Sequence, residues 1–477
     1  MKVLFLAAEA APFVKVGGLG DVAGSLPPAL AALGHDVRLA IPGYGVIDWA
    51  RFRPRPAGAF QVPHSGGSEP GRIWETESDV PVWLLTGPPI PTDGRIYSAS
   101  IAEDARKFLF FSLGALAACR ALDFRPDVIH ANDWHTGPAV YRLRTAGDPF
   151  FRDTASLYTI HNLPYTGRGA GPYLAEYGLA ASPALALLPE GMRDSMLGLG
   201  LVTADVLTTV SPTYAREIQT PEGGHGLDGT LRARGDRLHG VLNGIDVRAW
   251  DPATDPALAQ RFDSETLDRR AANRAALQEE AGLAVDPDAF LLGMVSRLDS
   301  QKGFDIALPV LSGWLESGGQ LVALGSGDPA IERGLAELEL RFPGRASVRL
   351  RFDPPYSRRI YGGADAILIP SRYEPCGLTQ MLAMRYGAVP IARRTGGLAD
   401  TISDAGDPGG TGVLFDGYDA VSLAHALDRA LRVYAHRQSW IELQRRGMEK
   451  DFSWNRSAAE YEALYREALE HRGDAAG

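Results

Sequence analysis

A glycine-rich segment near the N-terminus has the composition of an anion-binding turn. It reads Lys15-Val16-Gly17-Gly18-Leu19-Gly20-Asp21 and leads into a predicted helix, Val22–Leu33. Adjacent glycines let backbone N–H groups approach a phosphate, and a helix N-terminus favours negative charge. Gly18-x-Gly20-x-x-Ala23 also fits a dinucleotide fingerprint. However, the preceding strand lies eight residues before the glycines, and the second strand ends in Pro42 rather than in an acid. The pattern favours an anion site over a purely structural turn.

A second loop sets two cations five residues apart. Arg297 and Lys302 follow a predicted strand, Phe290–Ser296, and precede a helix. Only five of the 48 basic residues are lysines, and Lys15 and Lys302 each lie within two residues of a glycine. Two cations in a strand-to-helix loop suit a diphosphate, although the segment is not a Walker loop. Two solvated charges are the alternative, and the likeness to the first glycine loop favours function.

Polar residues follow two predicted strands of the N-terminal half. His130-Ala131-Asn132-Asp133-Trp134-His135 follows one, and Thr159-Ile160-His161-Asn162 ends the other. Ligands of parallel sheets bind beyond the carboxyl ends of the strands, so we expect these side chains to face a substrate. A third metal ligand with suitable spacing is not evident. Two structural alternatives stay open: Asp133 as the cap of the next helix, and His161 as a structural histidine.

Two further segments of the C-terminal half could contact a sugar phosphate. Ser371–Gln380 follows the strand Ala366–Ile369, and its Glu374 could accept hydrogen bonds from sugar hydroxyls. The alternative for Glu374 is an acid favoured by a helix N-terminus. Arg394-Thr395-Gly396-Gly397 is another glycine turn before a helix and a possible phosphate cradle.

The elements that must position these segments form two series of alternating strands and helices. Strands of the first series are predicted at Val3–Ala8, Asp36–Ile41, Val128–His130, Ser156–Ile160, Val206–Val210 and His239–Leu242. Those of the second are predicted at Phe290–Ser296, Gln320–Leu324, Ser347–Phe352, Ala366–Ile369, Val389–Ala392 and Val413–Phe415. A linker-like stretch, Asp251–Pro256, separates the series. Two α/β domains with parallel sheets follow, and the cleft between them is the expected site.

Composition narrows the class of protein. The 477 residues carry 48 basic and 58 acidic side chains, and this net charge of −10 disfavours nucleic acid as a partner. The two cysteines fit a reducing compartment. Glu9 interrupts the short N-terminal apolar run, which argues against a signal peptide, and Phe108–Cys119 is too short to span a bilayer. We therefore expect a cytoplasmic protein without a membrane partner.

In this order, the motifs resemble those of bacterial glycogen synthases and the related starch synthases, glycosyltransferase family 5. The resemblance covers nearly the whole chain and includes Val210–Ala215 and Leu242–Asp246. It implies two Rossmann-like parallel-sheet domains facing across a cleft, the GT-B type of α/β fold. The domains implied are 1–245 on the acceptor side, 246–453 for the nucleotide sugar, and a helix at 454–477 that crosses back to the first.

The reaction implied by the resemblance is retaining transfer of glucose from ADP-glucose to the non-reducing 4-hydroxyl of glycogen or another α-1,4-glucan. ADP is released, and neither a cofactor nor a metal is expected. The implied catalytic residues are His161, Glu374, Arg297 and Lys302. The implied substrate-binding residues are Lys15, Gly17, Gly18, Asp21, Asp133, Asn243, Phe352, Cys376, Gly377, Leu378, Thr379, Thr395, Gly396 and Gly397.

Within that set, the resemblance implies individual roles. Lys15 matches the lysine that contacts the nucleotide sugar, and Arg297 and Lys302 match the diphosphate-binding pair. Glu374 matches the residue on the glucosyl hydroxyls, and His161 matches the histidine beside the reacting sugar.

Other positions carry weaker matches. Asp133 and Asn243 match positions near the glucose. Phe352 stands where the family usually has a tyrosine stacked on adenine. Val16, Pro164 and Thr166 depart from the common pattern of the family.

Four other functions compete with this one. A relative of the same fold could use UDP-glucose and a small acceptor. A glycoside hydrolase would need two carboxylates facing one bond. A silent glucan-binding protein would have no need of intact Lys15, Arg297, Lys302 and Glu374. An NAD-dependent oxidoreductase would need the missing acidic residue at the end of the second strand.

Overall fold

A computed structural model describes residues 1–98, 100–180 and 182–474. The chain divides into two compact units, Met1–Gly244 with Trp454–Gly477, and Ile245–Ser453. Within the described residues, no helix is both long and apolar enough to cross a membrane.

The first unit is built on a sheet whose nine described strands follow the order β3-β4-β5-β2-β1-β6-β7-β8-β9. These strands are β1 (Lys2–Leu6), β2 (Asp36–Pro42), β3 (Arg55–His64), β4 (Gly67–Glu77), β5 (Pro81–Thr86), β6 (Val128–Asn132), β7 (Ala155–Ile160), β8 (Val206–Thr209) and β9 (Leu238–Gly240). Its helices before the second unit are α1 (Gly18–Ala32), α2 (Trp49–Phe52), α3 (Ile101–Ala121), α4 (Gly137–Thr145), α5 (Gly171–Glu176), α6 (Met196–Thr203), α7 (Pro212–Glu217) and α8 (Asp228–Ala233).

The middle of this sheet is parallel and buried. Each residue of β7 is buried, and β1 is buried from its second residue onward. Apolar runs without alternation are typical of strands that are covered on both faces. One edge differs from the expectation of parallel strands, because β4 pairs antiparallel with both β3 and β5. The predicted strands did not include this hairpin edge.

The second unit has a parallel sheet of six described strands in the order β12-β11-β10-β13-β14-β15. They are β10 (Leu291–Val295), β11 (Gln320–Leu324), β12 (Ala346–Arg349), β13 (Ala366–Ile369), β14 (Val389–Arg393) and β15 (Val413–Phe415). The helices are α9 (Arg270–Glu280), α10 (Phe304–Glu316), α11 (Pro329–Arg341), α12 (Pro354–Gly363), α13 (Thr379–Arg385), α14 (Gly396–Thr401), α15 (Ala420–Ala435) and α16 (Arg437–Glu449). From β10, the strands that follow in the chain are placed first on one side of it, as β11 and β12, and then on the other, as β13 to β15. The α/β sheets bind ligands at such a switch point.

The last helix, α17 (Trp454–Asp474), packs on the sheet of the first unit. Its buried Tyr465 hydroxyl lies 2.7 Å from His130 Nδ1 on β6, and Glu467 lies 3.0 Å from His239 Nε2 on β9. Residues 475–477 of the predicted 454–477 segment lie outside the described residues.

Candidate active site

The carboxyl ends of β1, β6 and β7 bring the polar segments of the first unit together. Leu6 of β1 is in register with Ala131 of β6, and Asn132 of β6 is in register with Thr159 of β7. The loops that leave these three strands therefore start side by side. They carry Glu9 and the glycine-rich segment, Asp133, and His161.

The glycine-rich segment is held by a carboxylate that the sequence analysis missed. Glu9 is only 3% exposed, and it accepts hydrogen bonds from the backbone N–H groups of Val16 and Gly17, the latter at 3.2 Å. Burial raises the pKa of Glu9, while these two amides oppose the rise. The only sequence signal for Glu9 is an acid placed directly after a buried apolar run.

Lys15 and Asp21 form an ion pair within the same segment. Lys15 Nζ lies 2.7 Å from Asp21 Oδ1, and both side chains are about one third exposed. Burial raises the pKa of Asp21, and Lys15 counteracts that shift. Gly18 begins α1, and Gly17 precedes it as the cap residue. The segment thus presents one ammonium group and a helix N-terminus at the same place.

Asp133 supports the backbone next to His161 rather than capping a helix. Its Oδ1 accepts hydrogen bonds from the N–H groups of His161, at 2.7 Å, and Asn162, at 3.4 Å. The cap of α4 is Thr136, so the interpretation of Asp133 as a helix cap is wrong. Burial raises the pKa of Asp133 to about 7, although both amides work against that shift.

His161 is a neutral imidazole in this setting. Burial lowers its pKa to about 3. Its Nε2 lies 2.8 Å from Oδ1 of Asn132, the last residue of β6. Asn243 follows β9 and is 8% exposed, and its Oδ1 has no hydrogen-bond partner among the described residues.

In the second unit, two motifs 72 residues apart meet through one ion pair. Lys302 Nζ lies 2.7 Å from Glu374 Oε2, which also accepts a hydrogen bond from Ser371 Oγ at 2.9 Å. The Lys302 and Glu374 side chains are 18% and 8% exposed. These groups line a small pocket at the ends of β10 and β13, together with Thr379. Arg297 is more open, at 52% exposure, and lies 3.1 Å from Asp299.

Two glycines allow this pocket to form. Gly303 has φ +75°, and a Cβ on it would lie 1.9 Å from the Pro370 carbonyl oxygen. Gly396 has φ +43°, and its Cβ would lie 1.9 Å from the Glu374 carbonyl oxygen. Only glycine fits such contacts. The turn at Thr395–Gly397 therefore packs against the backbone of Glu374, and the Gly397 N–H donates to that carbonyl at 3.0 Å.

The other residues predicted for the site differ in their burial and in their place in the fold. Cys376 is buried, whereas Gly377, Leu378 and Thr379 are partly exposed where α13 begins. Phe352 lies beyond β12, which ends at Arg349 and is shorter than predicted, and its side chain is 79% exposed. No group of three His, Cys, Asp or Glu side chains among the described residues is placed to hold a metal ion.

Two family descriptions match the chain. "Starch synthase catalytic domain" matches residues 2–233, and "Glycosyl transferases group 1" matches residues 278–446. Glycogen synthase of Syntrophotalea carbinolica is 45% identical, over 98% of this chain and 99% of its own length. Glycogen synthase of Anaeromyxobacter dehalogenans is 46% identical over the same shares.

Solved structures agree with this relationship. The catalytic domain of starch synthase IV from Arabidopsis thaliana, bound to ADP and acarbose, matches with a TM-score of 0.91 and 34% identity, over 98% of this chain and 99% of that one. Sucrose-phosphate synthase from Thermosynechococcus elongatus matches with a TM-score of 0.63 at 21% identity over the same shares, a likeness of fold alone. The expected GT-B fold class is confirmed. The chain belongs to the glycogen synthase family and is a glycosyltransferase.

Proposed function

We propose that the chain transfers glucose from ADP-glucose to the 4-hydroxyl at the non-reducing end of an α-1,4-glucan, with retention of the anomeric configuration. The observation that carries the proposal is the Lys302–Glu374 pair in the pocket at the ends of β10 and β13. It joins a cation suited to the diphosphate with a carboxylate suited to sugar hydroxyls. The relative from Arabidopsis was captured with ADP and acarbose, which supports this donor and this acceptor class.

The second unit binds the donor in this proposal. Departure of ADP leaves growing negative charge on the diphosphate, and Lys302 and Arg297 stabilise that charge as it develops. No resident metal is needed for this step in our proposal, because the two cations take its place. Glu374 accepts hydrogen bonds from the glucosyl hydroxyls. Phe352 is exposed enough to stack on the adenine base.

The first unit contributes groups that hold hydroxyls. His161 is neutral, and Asp133 fixes the backbone beside it. Lys15 supplies the one ammonium group of the glycine segment and contacts the nucleotide sugar. Asn243, whose Oδ1 lacks a partner among the described residues, contacts the glucose.

We propose attack on the same face of the sugar from which ADP departs. The bond between the anomeric carbon and the phosphate oxygen breaks, and the acceptor 4-oxygen bonds to that carbon. The proton of the acceptor hydroxyl passes to the departing phosphate oxygen. This route needs no enzyme nucleophile on the opposite face.

The test is incorporation of radiolabelled glucose into glycogen. ADP-glucose and UDP-glucose are supplied separately, with EDTA and without added metal. Incorporation from ADP-glucose alone is the expected result. Incorporation from UDP-glucose alone would overturn the donor assignment. Incorporation from neither would overturn the glucan acceptor, and loss of activity with EDTA that returns with a divalent metal would overturn the metal-free proposal.

A further inference from the structure

The side-chain amide of Asn132 has only one possible orientation. Asn132 is fully buried at the end of β6. Its Nδ2 lies 2.9 Å from the backbone carbonyl oxygen of Leu6 on β1, and 3.5 Å from that of His130. A carbonyl oxygen accepts hydrogen bonds and cannot donate them. The amide nitrogen must therefore face Leu6, which leaves Oδ1 pointing the other way.

That orientation fixes the position of the proton on His161. Asn132 Oδ1 is an acceptor and lies 2.8 Å from His161 Nε2. Nε2 must therefore carry the proton. A neutral imidazole has one N–H, so Nδ1 holds a lone pair and can only accept. Because burial lowers the pKa of His161 to about 3, a second proton is disfavoured at neutral pH.

Among the described residues, no ionisable side chain is hydrogen-bonded to the His161 ring. Asp133 accepts from the His161 backbone N–H. His130 and His135 are buried neighbours whose pKa values burial lowers well below the usual range, and the charge of His161 would lower both further. His130 is already engaged by Tyr465 and Thr159, at 2.7 Å each.

We propose that Asn132 is a positioning residue that holds His161 as the Nε2–H tautomer and leaves Nδ1 as a hydrogen-bond acceptor for a hydroxyl of the bound sugar. The first part concerns the protein alone, and the second rests on the proposed function. Neither residue type nor spacing shows this role, because Asn132 and His161 lie 29 residues apart and meet only through the register of β6 and β7.

Nitrogen NMR of the ligand-free protein tests the tautomer directly. The full chain is labelled with ¹⁵N-histidine, and His161 is assigned by comparison with His161→Gln. From about pH 8 to about pH 5, we expect Nε2 to stay protonated and Nδ1 unprotonated, with only small shift changes as Asp133 titrates. A protonated Nδ1, or a His161 that titrates within this range, would overturn the proposal whether or not the protein is active.

Asn132→Asp then tests the role in the reaction. A carboxylate beside His161 favours the imidazolium and raises its pKa. We expect His161 to titrate within the measured range, and kcat to fall about tenfold near pH 6 with a smaller loss near pH 8. A folded variant with unchanged His161 signals and an unchanged pH profile would contradict the proposal.

Two further variants separate positioning from damage to the fold. Asn273→Asp places the same change at a buried asparagine of the second unit, which pairs with the Gln260 backbone. It should leave the His161 signals and the pH profile at their wild-type values. Asn132→Leu removes the three hydrogen bonds of the side-chain amide without adding charge, so a mixture of His161 tautomers is expected in its spectrum. A single unchanged tautomer in that variant would count against Asn132, and altered His161 signals in Asn273→Asp would show that the effect is not specific.

Discussion

Around His161 in the first unit, burial disfavours charge, and the ion pair of that unit's glycine segment, Lys15–Asp21, is about one third exposed. In the second unit, opposite charges are in direct contact in a more buried place. His161 is neutral, and burial raises the pKa values of Glu9 and Asp133. In the second unit, by contrast, Lys302 and Glu374 are in contact at 2.7 Å. The weakly charged surroundings of His161 suit neutral sugar hydroxyls, and a cation beside a carboxylate suits a sugar diphosphate.

Both sites depend on contacts between segments that are distant in the sequence. Glu9 organises the glycine segment through backbone amides, and Glu374 is held by Lys302 and by Ser371. The difference lies in the partner: the carboxylate of the first unit binds uncharged N–H groups, and that of the second binds an ammonium group. Substitutions that remove charge should therefore act more strongly on the second unit than on the first.

The largest effect is expected from Lys302→Met. It keeps the length of the side chain and removes the charge that stabilises the departing diphosphate. We expect kcat to fall about 100- to 1000-fold, the range of a lost transition-state contact. Steady-state rates with saturating ADP-glucose measure this, and an unchanged kcat would remove Lys302 from the mechanism.

Two control variants separate the effect of Lys302→Met on stability from its effect on the reaction. The variant leaves the Glu374 carboxylate buried without its cation, which is destabilising. Adding Glu374→Gln should recover thermal stability without recovering kcat. Lys2→Met removes an exposed lysine of the first unit and should leave both quantities near wild type.

A smaller effect is expected from Glu9→Gln. The substitution turns one of the two acceptor oxygens into an NH₂ group, which faces the Gly17 N–H even when the remaining oxygen keeps its bond to Val16. The anchor of the glycine segment is therefore weakened. We expect the KM for ADP-glucose to rise about tenfold. Initial-rate kinetics at varied donor concentration give this value.

Asp205→Asn is the matched control for Glu9. Asp205 is also a buried carboxylate of the first unit that accepts a backbone N–H, that of Ser156 at 2.9 Å, but it lies at the amino edge of the sheet. It should lower stability with little change in KM. If both variants shift KM alike, Glu9 acts through stability alone.

The sequence predicts those features of the fold whose residue pattern lies within one short segment of the chain. The strand Ala366–Ile369 has the predicted bounds, because a short apolar run between turns is typical of a buried parallel strand. Ser211 caps α7 and Pro212 is its first residue, which is the arrangement that a Ser-Pro pair before a helix favours. The hairpin of β3 and β4 was missed although Ser65-Gly66 forms its turn, since its largely exposed strands contain charged residues and prolines among the apolar ones.

Contacts between segments that are distant in the chain could not be predicted from the sequence. Lys302 and Glu374 were each predicted for the site, but nothing in the sequence pairs them. Asp133 follows a strand and precedes a helix, so capping was the local expectation. The neighbouring strand offers the His161 and Asn162 amides instead. Glu9 and Asn132 gain their roles only through the tertiary fold.

Phe352→Ala tests whether the second unit also uses recognition that does not depend on charge. Phe352 is 79% exposed, so its removal should barely affect stability. Loss of base stacking should raise the KM for ADP-glucose about fivefold, while Phe352→Tyr keeps the wild-type value. Kinetics with ADP-glucose provide the measurement. Leu340→Ala, at an 82% exposed apolar residue of α11, is the control and should change neither quantity; an equal effect there would refute stacking.

A last effect concerns stability rather than kinetics, namely the pH dependence of stability in the first unit. The pKa of Asp133 is raised to about 7 in the folded protein, above the usual value of an aspartate. The folded state then binds more protons than the unfolded state between about pH 4 and about pH 7, so this group's contribution to stability declines as the pH rises through that window. Asp133→Asn removes the titration and keeps an acceptor oxygen for the His161 amide. Relative to wild type, the variant should gain about 4 kcal/mol of stability across the window and no more above it.

Thermal unfolding of the ligand-free proteins at several pH values measures that difference. His161 contributes the opposite trend, since its lowered pKa costs stability as the pH falls below about 6.5. That contribution is present in both proteins and cancels in the comparison. Asp153→Asn removes an exposed carboxyl of the same unit and should follow wild type at every pH. A constant difference between Asp133→Asn and wild type would mean that Asp133 is ionised throughout, and the first unit would then hold a full negative charge beside His161, as the second does beside Lys302.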